Sequence, residues 1–191
     1  MTPHKEIEVK FRVESLRVLN QRLRQSGFRL VTPRTHEVNT LYDFPGQRLR
    51  KHGELLRLRK YGQKWTLTHK AKGETGRHKT RVENETQVAN GLSMDIILRA
   101  LGFAPTFRYE KFRAEWSDGK GHVVVDENPI GNFGEIEGAP RWIDQTARHL
   151  RVSRDSYITE TYATLFLNWK KLTKSSALEM TFASVARGAK P

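Results

Sequence analysis

Short sets of charged residues recur at every second position along this chain. Glu6, Glu8 and Lys10 alternate with Ile7 and Val9, Arg57 and Arg59 flank Leu58, and Thr66, Thr68 and Lys70 alternate with Leu67 and His69. Arg81, Glu83 and Glu85 follow the same rule, as do Lys111 with Arg113 and Glu135 with Glu137, while Asp126 continues the face of Val124. Side chains alternate across an extended strand, so each set lies on one face. The chemistry open to such sets is that of a polyanion and its counter-cation. Arg recognises phosphate through a planar fork and Lys as a point charge. Carboxylates are oxygen ligands for hard divalent cations. With no Cys in the chain and its seven His scattered without metal spacing, Mg²⁺ or Mn²⁺ suits the acidic sets better than Zn²⁺.

Strands must carry these sets. Residues 6–13 alternate strictly between charged and apolar types, and similar alternation marks 55–61, 64–71, 79–88, 109–116, 122–126 and 133–138. Tyr61-Gly62-Gln63, Ala71-Lys72-Gly73, Ser117-Asp118-Gly119 and Asn128-Pro129 supply turns between several of them. Helices punctuate the strands. Ser15 is the expected N-cap of a first helix with Leu16, Leu19 and Leu23 on one face and Gly27 as its stop. A second is expected from Ser93 to Gly102, and Ile143, Ala147 and Leu150 indicate a third. The strongest helical pattern covers 159–172, where Tyr162, Leu165, Phe166 and Trp169 form an apolar stripe read as packing. The loop at 73–79 is Gly-bearing and basic but lacks the P-loop spacing, and reads as a hairpin lid at a tunnel mouth.

The composition bounds the partners. At 191 residues, 37% hydrophobic and 29% charged, the chain is one globular domain (1–172) with a C-terminal tail at 173–191, expected as a loosely held helix or as disorder. No run approaches the roughly 18 apolar residues of a membrane span, and no secretory signal core is visible at Met1–Glu6, so a cytoplasmic location without membrane association is expected. The formal net charge of +13 favours a polyanionic partner.

For any one strand the ordinary reading is that charges face water and apolar residues face a core. Periodicity alone leaves the inside and outside open. Seven such strands together make a second reading available, in which the charged faces converge on one wet cavity. Dry and unpaired, that interior would cost several kcal/mol per ion; filled by water, metal and a polyanion, it becomes reasonable.

Glu6-Ile7-Glu8-Val9-Lys10 resembles the ExExK signature of the CYTH superfamily, the triphosphate tunnel metalloenzymes. The likeness continues in order through Asn39–Asp43, Gly53-Glu54-Leu55-Leu56-Arg57-Leu58-Arg59, Leu67-Thr68-His69-Lys70, Arg81-Val82-Glu83, Lys111-Phe112-Arg113, Val125-Asp126-Glu127 and Gly131 to Glu137. It spans residues 4 to about 170. The resemblance implies an α+β fold: an eight-stranded antiparallel β-barrel, or tunnel, with its charged faces inward and its helices packed outside. It implies Glu6, Glu8, Glu135 and Glu137 as principal ligands of Mg²⁺ or Mn²⁺, with Asp126, Glu83 and Glu85 assisting. It implies Lys10, Arg57, Arg59, Lys70, Arg81, Lys111 and Arg113 as phosphate binders, with Lys10, Arg59, Lys70 and Arg113 acting in catalysis.

Members of that superfamily include class IV adenylyl cyclases, thiamine triphosphatases and inorganic triphosphatases. The resemblance therefore implies a metal-dependent enzyme acting on the triphosphate of a small molecule: inorganic tripolyphosphate, thiamine triphosphate or a nucleoside triphosphate. At Glu37-Val38-Asn39 the chain departs from the Gln-x-Asp of cyclase-like members, which favours hydrolysis over conversion of ATP to cyclic AMP and pyrophosphate. A non-catalytic barrel binding polyphosphate or nucleic acid is the remaining alternative. Retention of the full acidic set weighs against a pure binder, and the lack of interleaved exposed aromatics weighs against nucleic acid. Association as a homodimer is left open.

Overall fold

Eight strands close on themselves. The computed structural model describes residues 4–188. β1 (His4–Arg12), β2 (Arg29–Asp43), β3 (Leu55–Tyr61), β4 (Lys64–Lys70), a two-residue β5 (Glu74–Thr75), β6 (Lys79–Val88), β7 (Ala104–Ser117), β8 (His122–Asn128) and β9 (Gly131–Glu137) follow one another along the chain. Around the wall the order is β1-β9-β8-β7-β2-β3-β4-β6, and β6 pairs back onto β1. Every pairing is antiparallel. The expected eight-stranded barrel is therefore present, and β5 is a short hairpin arm on β6.

Register decides which faces share the interior. Residues directly opposite across antiparallel strands lie on the same face. Glu8 faces Glu137 and Lys10 faces Glu135; Glu6 faces Arg81; Lys70 faces Glu83; Glu37 faces Lys111; Arg113 faces Asp126. The alternating apolar residues point outward and are covered by helices. Val9, Phe11, Val123, Val125, Trp116 and Ile136 form one buried cluster with Leu19 and Leu23 of α1 (Leu16–Gln25) and Ile143, Ala147 and Leu150 of α4 (Pro140–His149). Burying such side chains contributes about 1.5–3 kcal/mol each. A one-turn helix α2 (Arg48–Lys51) begins after Asp43, whose carboxylate accepts from the backbone N–H groups of Leu49 and Arg50. Tyr42 and Leu58 pack with Leu98 of α3 (Gly91–Ala100).

The helix ends follow local capping chemistry. The Ser15 hydroxyl accepts from Val18 N at the start of α1, as expected. α3 starts two residues before the expected Ser93, because Asn90 accepts from Ser93 N and so is the cap itself. α5 (Tyr162–Thr173) starts later than residue 159, capped by Thr161, because Ile158 is still bridged to Lys10 of β1.

The helices pack around the barrel as expected, and α5 also reaches its open end. Its Tyr162, Leu165 and Phe166 meet Tyr109 and Phe133, which share the inward parity of Lys111 and Glu135, so α5 covers one end of the tunnel. The tail returns to the barrel through residue 188: Met180 is fully buried and bridges to Tyr109, and α6 (Phe182–Gly188) follows it. Ala177 and Met180 are buried there, Val185 packs against the same cluster, and the Phe182 ring meets Phe112. Among the described residues no helix is long and apolar enough to cross a membrane.

Candidate active site

A cavity of about 890 Å³ runs inside the barrel. Glu6, Glu8 and Lys10 of β1, Arg57 and Arg59 of β3, Lys70 of β4, Arg81, Glu83 and Glu85 of β6, Lys111 and Arg113 of β7, and Glu135 and Glu137 of β9 all line it. Thirteen of the fourteen side chains singled out in the sequence are thus brought together on its wall. Asp126 is the other: on the same inward face but fully buried, it lies beneath the cations, holding Lys111 Nζ at 2.8 Å and the Arg113 fork at 2.7 and 2.6 Å.

The carboxylates gather where β1, β9 and β6 meet. Glu8 and Glu137 stand side by side across the β1–β9 pairing. Burial, and then repulsion from Glu6, Glu8 and Glu135, pushes the Glu137 carboxyl above its ordinary range. Burial and a hydrogen bond shared with Glu83 push Glu6 up in the same way, against the pull of Lys70. Glu135 behaves oppositely. Burial alone would raise it, but Lys10, Arg113 and Lys111 hold it well below the usual carboxylate range.

Ammonium groups stand among these acids. Lys10 Nζ lies 2.6 Å from Glu135, Lys79 Nζ 3.1 Å from Glu8, and Lys70 Nζ 3.0 Å from Glu6 while also contacting Glu83. Among the described residues no three Asp, Glu or His side chains already converge in metal-ligating geometry. The donor set nevertheless fits a hard divalent cation. It is all oxygen, it lies on the cavity wall, and the raised Glu6 and Glu137 carboxyls mark a place where added positive charge is favourable.

The guanidinium groups gather on β3, β6 and β7. Arg59 donates to Thr66 at 3.1 Å and to Glu85 at 3.2 Å, and Arg57 donates to Thr68 at 3.3 Å. The Nε atoms of Arg57 and Arg81 are buried donors without an acceptor. A buried unpaired donor costs about 1–3 kcal/mol, so both are positions where an anionic ligand would be favourable.

Several residues that the sequence reading did not assign to the site belong to it. Lys79 lines the cavity beside Glu8, and its alternation with Arg81 on β6 was the signal available. Glu37 and Asn39 of β2 are fully buried among the cations; continuing the period-2 rule from Thr35 through Glu37 to Asn39 would have found them. Tyr162, read as packing, donates to Asp126 at 2.8 Å, and its ring lies 4.7 Å from Lys10 Nζ and 4.8 Å from Lys111 Nζ. A helical apolar stripe carries no sign of that role. The 73–79 loop is clasped from outside: Arg77 and His78 each reach Asp144 of α4 at 2.9 Å.

The CYTH domain model matches residues 4–162, which is most of the chain and the whole of the barrel. The chain belongs to the CYTH family. Members of this family are triphosphatases or adenylyl cyclases. Among solved structures, a candidate adenylate cyclase from Vibrio parahaemolyticus is similar at 19% identity over 85% of this chain and 97% of its own, with a TM-score of 0.75. A protein from Pyrococcus horikoshii is 22% identical over 84% and 98%, with a TM-score of 0.72. A candidate adenylyl cyclase from Hippeastrum with a dominant triphosphatase activity is 20% identical over 85% and 95%, with a TM-score of 0.62. At these identities the likeness is one of fold. No curated protein sequence matches the chain. The CYTH fold leaves the choice of reaction to the side chains inside it.

Proposed function

We propose that this CYTH protein is a divalent-metal-dependent triphosphatase that hydrolyses the triphosphate of a small molecule inside its tunnel. The observation that carries the reading is the presence, on the wall of one cavity, of an acidic group from β1, β6 and β9 and a basic group from β3, β4, β6 and β7. An extended phosphate chain presents oxygen anions over several ångströms, and the basic group offers guanidinium forks and ammonium charges over a comparable span.

The division of labour follows from position. Glu6, Glu8 and Glu137 would hold Mg²⁺ or Mn²⁺, with Glu135 and Glu83 beside them. When bound, such a cation neutralises phosphate oxygens and favours deprotonation of an attacking water. Arg57, Arg59 and Arg81 bind and orient the phosphate chain. Lys10, Lys70, Lys111 and Arg113 offset the charge that develops as the water oxygen bonds to phosphorus and the bridging P–O bond breaks. The products are the diphosphate and inorganic phosphate. Asp126 and Glu85 hold Arg113, Lys111 and Arg59 in place from behind and beside.

The Hippeastrum relative, named for a cyclase yet dominated by triphosphatase activity, favours hydrolysis first and cyclisation of ATP second. Purified protein incubated with Mg²⁺ or Mn²⁺ and, separately, ATP, thiamine triphosphate and tripolyphosphate, followed by mass identification of products, decides between them. A diphosphate with phosphate supports hydrolysis, and cyclic AMP with pyrophosphate selects the cyclase. No product from any of the three sinks the enzymatic reading.

A further inference from the structure

Glu37 sits on β2 directly opposite Lys111 of β7 and is fully buried, as is Asn39 two residues along. One carboxylate oxygen accepts from Asn39 Nδ2 at 2.9 Å and faces Lys111 Nζ at 3.5 Å. The other lies 3.9 Å from Arg59 Nη1 and has no hydrogen-bond donor. Arg57, Arg59, Lys111 and Arg113 line the cavity, whereas Glu37 and Asn39 do not. The carboxylate therefore lies behind the cations and does not touch what they hold.

We propose that Glu37 is a positioning residue for the triphosphatase reaction, a buried anion that fixes the directions in which Arg59 and Lys111 present their charge to the phosphate chain. The proposal rests on the reading of the tunnel given above. A buried carboxylate is costly unless cations surround it. Burial would raise its pKa, but Lys111, Arg113, Arg59 and Arg57 hold it well below the carboxylate range, so Glu37 stays an anion at neutral pH. β2 lies between β3 and β7 in the wall, which makes Glu37 the tie between the Arg59 side and the Lys111 side. Asp126 holds Lys111 and Arg113 but forms no ion pair with Arg59.

The consequence has a sign. Without this anion the cations would repel one another, and each would swing toward the nearest phosphate oxygen in the bound substrate. With it, their directions are set before substrate enters, which is where electrostatic preorganisation acts. The same anion subtracts from the positive potential of the cavity. It therefore weakens simple polyanion binding while favouring the reacting arrangement.

Glu37→Gln keeps the shape and removes the charge. Two measurements decide: the Kd for inorganic tripolyphosphate without divalent cation, by calorimetry, and kcat with KM for whichever triphosphate the wild type hydrolyses. The expected Kd is unchanged or up to about tenfold tighter, while kcat falls by about tenfold or more. A group that touched phosphate would show weaker binding on loss. A group serving only the fold would leave both constants of the folded enzyme unchanged. Either result overturns the proposal. Glu37→Asp keeps the charge but draws it away from Lys111 and Arg59; it is expected to bind like wild type with a reduced kcat, and it serves if the Gln variant does not fold. Wild-type kcat in a folded Asp variant also overturns the proposal. If the wild type turns over no triphosphate, the reading of the tunnel fails, and the Kd comparison still judges Glu37: weaker binding by Glu37→Gln rejects its place behind the cations.

Discussion

Replacing Glu137 with Gln separates the metal assignment from a simple structural role, because the two predict opposite changes in stability. Glu137 faces Glu8 across the β1–β9 pairing, and Glu6 and Glu135 also bear on it. Two unit charges about 5 Å apart, the usual cross-strand spacing, repel by about 3 kcal/mol at an effective dielectric constant of about 20. Lys79, 3.1 Å from Glu8, offsets part of that, and Glu137 is only half-buried. Removing the charge should therefore stabilise the metal-free protein by about 1–2 kcal/mol, or roughly 2–8 °C in Tm for a chain of this length. Thermal unfolding in chelator and in Mg²⁺ is the assay. Wild type should gain about 2.7 kcal/mol at a Mg²⁺ concentration of about a hundred times Kd, and Glu137→Gln should lose most of that gain along with turnover. A variant that melts below wild type in chelator, yet still responds fully to Mg²⁺, refutes both the repulsion and the metal seat.

Three further outcomes follow from the same geometry. Arg113→Met strips the fork from Asp126 and a 2.5 Å contact from Glu135; breaking a buried network in this way should cost about 3–5 kcal/mol in urea unfolding, and a loss under about 1 kcal/mol would count against the network. At Gly134→Ala the new Cβ would sit 2.2 Å from Phe11 Cζ, so overpacking of about 1–3 kcal/mol is expected; an unchanged Tm would mean that the ring has room to move. Glu37, Glu83 and Glu135 are all held below the ordinary carboxylate value of 4.5. Their contribution is present above that value and is lost as pH falls through their folded-state values. Urea midpoints should therefore drop on acidification below about pH 4.5, and a flat profile there would contradict the assignment.

Seven of the eight wall strands were legible as alternation, because β-structure writes its two faces into the sequence at period 2. β2 was not. Its pairing with β7 shifts register between Leu30 and Thr32, between Thr32 and Thr35 and between Leu41 and Tyr42, and Pro33 interrupts its first half, so no single period runs through it. Glu37 lies in the short regular stretch between those shifts, where Thr35, Glu37 and Asn39 still alternate, a run too brief to mark the strand by itself. Alternation could not say which face was inside; that depends on β6 pairing with β1, a contact between distant parts of the chain. Tyr162 was legible as buried but not as a hydrogen-bond donor to Asp126, since an apolar stripe records burial and not the partner of a phenol. The tail was illegible because its anchors, Ala177, Met180, Phe182 and Val185, are few and irregularly spaced, and its bridge to Tyr109 is made by backbone groups that leave no pattern in the sequence.

The barrel closes where its first strand meets its last. Glu8 meets Lys79 of β6 midway along the chain but finds Glu137 of β9 only after the whole wall has been synthesised. On a nascent chain emerging from the ribosome, Val9 and Phe11 must wait for β9 with that backbone edge unsatisfied. Pairings this distant in sequence make folding slow and leave sticky intermediates. Recovery on refolding is therefore expected to fall as protein concentration rises, a consequence of how the cylinder is sealed.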